Sequence, residues 1–128
     1  MRMYIKIILG VVVLLVLTIG GAAFYITRGL HLGKDMSIKH INISQLKNGV
    51  YEGKYDGGRW SNEVSVVLED GKITKINIVK SVLVEKPEVT RELINNVIDK
   101  QDTVVDAVSA ATVTSKAYLK AIENALAK

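Results

Sequence analysis

The stretch "NEVSVVLEDGKITKINIVKS", Asn62 to Ser81, decides the fold. Val64, Val66 and Leu68 alternate with polar or smaller residues, the period of a strand with one buried face. Asp70-Gly71 follows, and then Ile73, Ile76 and Ile78 with Thr74 and Lys75 between them. Asp-Gly between two β-branched runs is a strong hairpin signal, because a tight two-residue turn needs backbone that Gly and Asp adopt cheaply. Ile73 and Ile76 differ in parity, so the pairing is expected to carry one irregularity.

Upstream, "NGVYEGKYDGG" reads as a turn, a short strand from Val50 to Tyr55, and a Gly-rich loop ahead of Trp60, the only Trp. Downstream, Pro87 suits the first turn of a helix. "PEVTRELINNVIDKQ" then places Val89, Leu93, Ile94, Val97 and Ile98 at helical spacing, with Glu88 and Lys100 matching the macrodipole. "TVVDAV" is a short apolar run, read as extended. A last helix is expected from about Ser115 to Ala127, with Tyr118, Ile122, Ala125 and Leu126 on one face. The pattern is α+β: a small antiparallel sheet with two packed helices.

Ahead of this domain, Ile7 to Ile26 run for twenty residues without a charge. As a helix they would span about 30 Å, the hydrocarbon thickness of a bilayer. The run is longer than a signal-peptide core and ends in no clear A-x-A site, so it reads as a retained transmembrane helix. The division expected is an anchor over 1–27, a juxtamembrane linker over 28–46, and a domain over 47–128. Arg2 and Lys6 precede the span, and a long folded part follows it. That places the N-terminus inside and residues 28–128 outside the cytoplasm.

The net charge of +4 belongs to the membrane flank. Residues 1–44 carry Arg2, Lys6, Arg28, Lys34 and Lys39 against Asp35, while residues 45–128 carry twelve charges of each sign. The domain therefore has no basic field for nucleic acid. The absence of Cys excludes disulfides, thiolate metal sites and a lipidated Cys anchor. His31 and His40 are not at ligand spacing, and no metal site is expected. "NIS" at Asn42 to Ser44 is a formal glycosylation sequon, read as chance.

The segment with chemistry in it is "DAVSAATVTS", Asp106 to Ser115, just ahead of the last helix. Four hydroxyls lie within seven residues: Ser109, Thr112, Thr114 and Ser115. Three physical readings compete. A hydroxyl can cap the helix. The free amides can bind an anion, with Ala110 and Ala111 letting it approach the backbone. A Thr hydroxyl can become the acceptor of a phosphoester. No Ser-His-Asp system is available, since no His lies beyond residue 40.

The same segment resembles the flavinylation signature of the FMN-binding domain family. That domain also occurs in the C subunit of sodium-translocating NADH:quinone oxidoreductase and the G subunit of the Rnf complex. The family pattern is Asp, usually Gly, any residue, Ser or Thr, Gly or Ser, Ala, Thr, commonly with a further hydroxyl two positions on. Here it reads "DAVSAAT" followed by "VTS". Ala107 and Ala110 depart from it, standing where Gly, and Gly or Ser, are usual. "NGVYEGKYDGG", the hairpin and "TSKAYLKAIENAL" extend the resemblance over residues 48–127.

The resemblance implies FMN joined through its phosphate to Thr112. Asp106, Ser109, Ala110, Ala111, Thr114 and Ser115 would complete the cofactor site. It implies a separate Mg-dependent flavin transferase with FAD as donor, and a membrane redox partner or quinone pool. The protein would be an anchored electron carrier, with lipid contact through residues 7–26. A free-standing reductase is disfavoured, because no second cofactor motif is present. The alternative is an anchored scaffold of the same fold without covalent flavin. Trp60 and Tyr118 are candidates to flank the ring, each with core packing as the simpler role. Lys116 is a candidate to offset phosphate charge, with a solvated helix Lys as the default. Tyr51 and Tyr55 read as ordinary strand residues.

Overall fold

The hairpin anticipated at Asp70-Gly71 is present in the computed structural model, which describes residues 1–28 and 36–127. Asp70 and Gly71 take φ of 52° and 74°, the two left-handed residues of a type I′ turn. Glu69 and Lys72 face each other across it, and the Asp70 amide donates to Asn48 Oδ1 at 2.8 Å. The turn joins β2 (Asn62–Glu69) to β3 (Lys72–Lys80), and β1 (Gly49–Tyr55) pairs with the other edge of β2. The sheet is antiparallel, in the order β1-β2-β3.

The pairing of β2 with β3 slips twice. Leu68 faces Ile73 and Val67 faces Lys75, which leaves Thr74 as an extra residue. This irregularity follows from the parity of Ile73 and Ile76, and it keeps both isoleucines buried on one face. The second slip leaves Val79 unpaired between Ile78 and Lys80. It was not anticipated, because no core residue beyond Ile78 registers the change.

Two helices complete the domain: α2 (Pro87–Lys100) and α3 (Thr112–Leu126). Pro87 opens α2 as expected, and Gln101 ends it in the left-handed conformation with φ 53°. The Gln101 side chain then bonds both polar backbone groups of Ile73. Its Oε1 accepts the Ile73 amide at 2.6 Å, and its Nε2 donates to the Ile73 carbonyl at 2.9 Å. One side chain thus ties the end of α2 to the free edge of the sheet. "TVVDAV" carries no regular strand.

Helix α3 starts at Thr112, three residues earlier than expected, and packs across β1 and β2. Tyr118, Ile122, Ala125 and Leu126 are buried, as are Ala117, Leu119 and Ala121 beside them. Each large apolar side chain sequestered this way stabilises by about 1.5–3 kcal/mol. The close approach depends on Gly53 in β1. A Cβ there would collide with the Ala121 carbonyl oxygen and the Ala125 backbone.

The segment expected to be a connector is packed where it is described. Ile43 is only 4% exposed, and Ile38, Ile41 and Leu46 lie against the core. The Lys39 amide donates to Glu123 Oε2 at 3.0 Å, and Thr103 Oγ1 donates to the Lys39 carbonyl at 2.6 Å. His40 Nδ1 lies 2.8 Å from Asp102 Oδ1. His31 and Lys34 lie outside the described residues. Among the described residues, no group of three or more His, Asp or Glu is placed to hold a metal ion. Helix α1 (Arg2–Thr27) buries no residue and reaches a mean hydropathy of 2.8, long and apolar enough to cross a membrane.

Gly53→Ala is expected to lower the unfolding free energy by about 3 kcal/mol, read from urea melts, because α3 must lift off β1. A change within about 0.5 kcal/mol, the ordinary surface range, would contradict that packing. A second expectation concerns acid. Burial works against charge on Asp102, but hydrogen bonds from the Val104 amide, the His40 ring and the Thr103 amide together hold its carboxyl below the usual range. A lowered folded pKa stabilises above the unfolded value and is lost as pH falls through the folded one. Asp102→Asn should therefore flatten the loss of stability between about pH 5 and pH 3 in parallel melts.

Candidate functional site

Val108 to Ala111 form a turn closed by the Ala111 amide on the Val108 carbonyl at 3.0 Å. Its third residue, Ala110, has φ 62°, a left-handed conformation that favours Gly. Ala111 follows with φ −139°, and α3 begins at Thr112. The first helical bond runs from the Ser115 amide to the Ala111 carbonyl at 2.9 Å. The amides of Thr112, Val113 and Thr114 precede it, and among the described residues no side chain caps them. Capping is therefore not what the hydroxyls do. Ser115 is fully buried, and its Oγ accepts the Val108 amide at 3.0 Å, closing the loop beneath the turn.

The turn forms the floor of a cleft of about 240 Å³, with Ala110, Ala111 and Thr114 exposed to it. Arg59 and Trp60 make one wall. Val82, Val84, Lys86 and Val89 make the other. The first wall is a single 3₁₀ turn, Gly58–Trp60, entered through left-handed Gly58 at φ 61°. Ser61 Oγ braces it, accepting the Gly57 amide at 3.0 Å and lying 2.8 Å from the Gly58 carbonyl. The second wall is held at two points. The Leu83 amide donates to the Arg59 carbonyl at 2.9 Å, and the Val82 amide donates to the buried Tyr118 hydroxyl at 3.3 Å. Burial pushes the Tyr118 hydroxyl above its usual pKa, with the Val82 and Thr90 contacts opposing, so it stays neutral at ordinary pH.

The electrostatics are one-sided. Arg59 and Lys86 face the cleft, no carboxylate among the described residues lines it, and the uncapped end of α3 adds partial positive charge. The Arg59 guanidinium lies 4.3 Å from the Trp60 ring centroid, and its Nε is buried with no hydrogen-bond partner. Apolar walls, unopposed cations and free amides suit a flat apolar group that carries carbonyls and a phosphate.

A family model described as the FMN-binding domain matches residues 57–127. The chain belongs to that family. The match starts at the Gly-rich turn and runs through α3, so it includes every residue lining the cleft. A comparison with curated proteins returned no match. The residues present fit the cofactor: Ala110 and Ala111 leave the uncapped amides open to a phosphate, and Trp60 with three valines offers ring-sized apolar walls. The protein is a flavin-binding protein.

The expected site residues divide by place. Ala110, Ala111 and Thr114 line the cleft. Thr112 is exposed at the first position of α3, and Ser109 is exposed at the corner of the turn. Asp106 is exposed beside a separate depression near Asn96 and Lys100. Trp60 is 6% exposed yet reaches the cleft, whereas Tyr118 is core and acts through Val82. Lys116 does not line the cleft. Tyr51 and Tyr55 are half-buried strand residues, as expected. Arg59 and Lys86 were not anticipated. The available signal was a cation directly beside the only Trp in a Gly-rich loop.

Ser115→Ala leaves the Val108 amide buried without an acceptor and should cost about 2 kcal/mol in thermal or urea unfolding. Ala110→Gly removes a left-handed Ala and should stabilise by about 0.5 kcal/mol, while Ala110→Val should lose more than about 1 kcal/mol. Equal stability of all three Ala110 forms would contradict the turn geometry.

Proposed function

We propose that this protein is a membrane-anchored, extracytoplasmic electron carrier holding FMN covalently on Thr112. The observation that carries this reading is the position of Thr112. Its side chain is exposed at the first residue of α3, next to three uncapped amides and beside the floor of the cleft. An exposed hydroxyl there is open to a second protein. No His lies beyond residue 40, and among the described residues no imidazole lines the cleft beside it to activate it. A separate Mg-dependent transferase therefore supplies that activation. Thr112 Oγ1 loses its proton and bonds to the FMN phosphorus of FAD, the pyrophosphate bond breaks, and AMP leaves.

The uncapped amides of Thr112 to Thr114 hold the resulting phosphodiester, and the small side chains of Ala110 and Ala111 leave room for it. The cleft walls orient the cofactor and exclude water from one side of it. FMN, once bound, supplies one- and two-electron redox chemistry. Helix α1 holds the domain at the bilayer, and Ile38, Ile41, Ile43 and Leu46 pack the segment ahead of β1 onto the domain core. A membrane oxidoreductase or quinone pool and an acceptor complete the path.

The test is in-gel flavin fluorescence after denaturation, with and without a co-expressed flavin transferase. Wild type should give a fluorescent band only with the transferase, and Thr112→Val should give none. A dark wild-type band beside an active control substrate overturns the covalent reading and leaves an anchored module without attached flavin.

A further inference from the structure

Resting on the flavin reading above, we infer that Arg59 is the positioning residue that receives the carbonyl-bearing pyrimidine edge of the flavin ring inside the cleft, with Lys86 as a second cation beside that edge. Three observations carry this. First, Arg59 is held in place before any ligand arrives. Its guanidinium stacks on Trp60 at 4.3 Å, and its carbonyl is tied to the Leu83 amide at 2.9 Å. Secondly, its Nε–H is buried without a partner. A buried donor without an acceptor is destabilising, so an acceptor is the missing half of the arrangement. Thirdly, among the described residues no carboxylate lines the cleft, and Arg59 is in neither the His40–Asp102 nor the Lys120–Glu123 pair.

The ring, and not the phosphate, is the group that meets Arg59. Thr112 does not line the cleft, while Ala111 and Thr114 on either side of it do, so a phosphate bonded to it sits on the α3 amides at the edge of the floor and leaves the interior to the ring. The interior left over is walled by Trp60, Val82, Val84 and Val89, which suits an aromatic ring. Only one edge of that ring has acceptors: the pyrimidine edge carries two carbonyl oxygens and a bare ring nitrogen, while the dimethylbenzene edge is apolar. A site with two cations and a buried donor selects the first edge. A fixed cation there also favours the electron-richer ring and holds its midpoint potential up.

Two readouts test this. Trp60 is the only Trp, so its fluorescence reports the cleft directly. Riboflavin, which is the ring without phosphate, is titrated into the unmodified chain. Saturable Trp60 quenching is expected, with affinity at least tenfold weaker in Arg59→Gln and partly restored in Arg59→Lys. In the flavin-loaded protein, Arg59→Gln should keep the in-gel band, lose native-state quenching of the flavin and lower its midpoint potential. Binding of FMN but not riboflavin, abolished by salt, would show that the cations serve the phosphate and overturn the inference. So would absence of any riboflavin quenching, or an Arg59→Gln protein matching wild type in affinity and potential. A dark gel band with intact, Arg59-dependent riboflavin binding would sink attachment at Thr112 and leave Arg59 in its role.

Discussion

The seating of α3 on β1 and β2 is the constraint on which the rest depends. Gly53 has no side chain, so the helix backbone at Ala121 and Ala125 comes down onto the strand. That approach buries Tyr118, Leu119, Ile122 and Leu126 and so builds most of the core on the helix side. The same helix presents its free N-terminal amides at the cleft floor. A rigid core element thereby fixes the place of a chemically active end, and Tyr118 extends the control by holding Val82 in the opposite wall.

The site departs from ideal local structure in three ways, all at one end of α3. Ala110 is left-handed, α3 is uncapped, and Arg59 Nε is buried without a partner. Each costs stability on its own: left-handed Ala about 1–2 kcal/mol, and an orphan donor about 1–3 kcal/mol. Their coincidence at one cleft, beside two cations that no carboxylate among the described residues opposes there, points toward a bound anionic, acceptor-rich group. Elsewhere the fold follows local rules at most of its turns and helix ends, with left-handed Gln101 and the buried, unpartnered Asn62 Oδ1 as exceptions. The type I′ turn has Asp-Gly, α2 begins with Pro, and the Gln101 amide satisfies the sheet edge at Ile73.

Much of the fold was legible because its signals are local. Alternation from Val64 to Leu68, a two-residue turn, and the parity change between Ile73 and Ile76 each lie within a few residues. The slip at Val79 was not legible, since Val79 and Lys80 are exposed and no buried residue marks the register there. The early start of α3 was missed because neither Ala111 nor Thr112 gives a side-chain cap, the usual marker of a helix start. The packing of Ile38 to Leu46 was missed because short apolar residues among polar ones carry no period.

By itself the sequence determined an α+β domain behind an apolar helix, and a small hydroxyl-rich segment before the last helix. Those depend on spacing along one chain. Only the tertiary structure decided that Ser115 faces inward to Val108 while Thr112 faces solvent, and that Arg59, Lys86 and Ala110 share one cleft. Residues 59, 86 and 110 are more than twenty positions apart in sequence. Their meeting is set by how closely α3 settles on the sheet, and that distance is written in the packing at Gly53 and not in any local pattern.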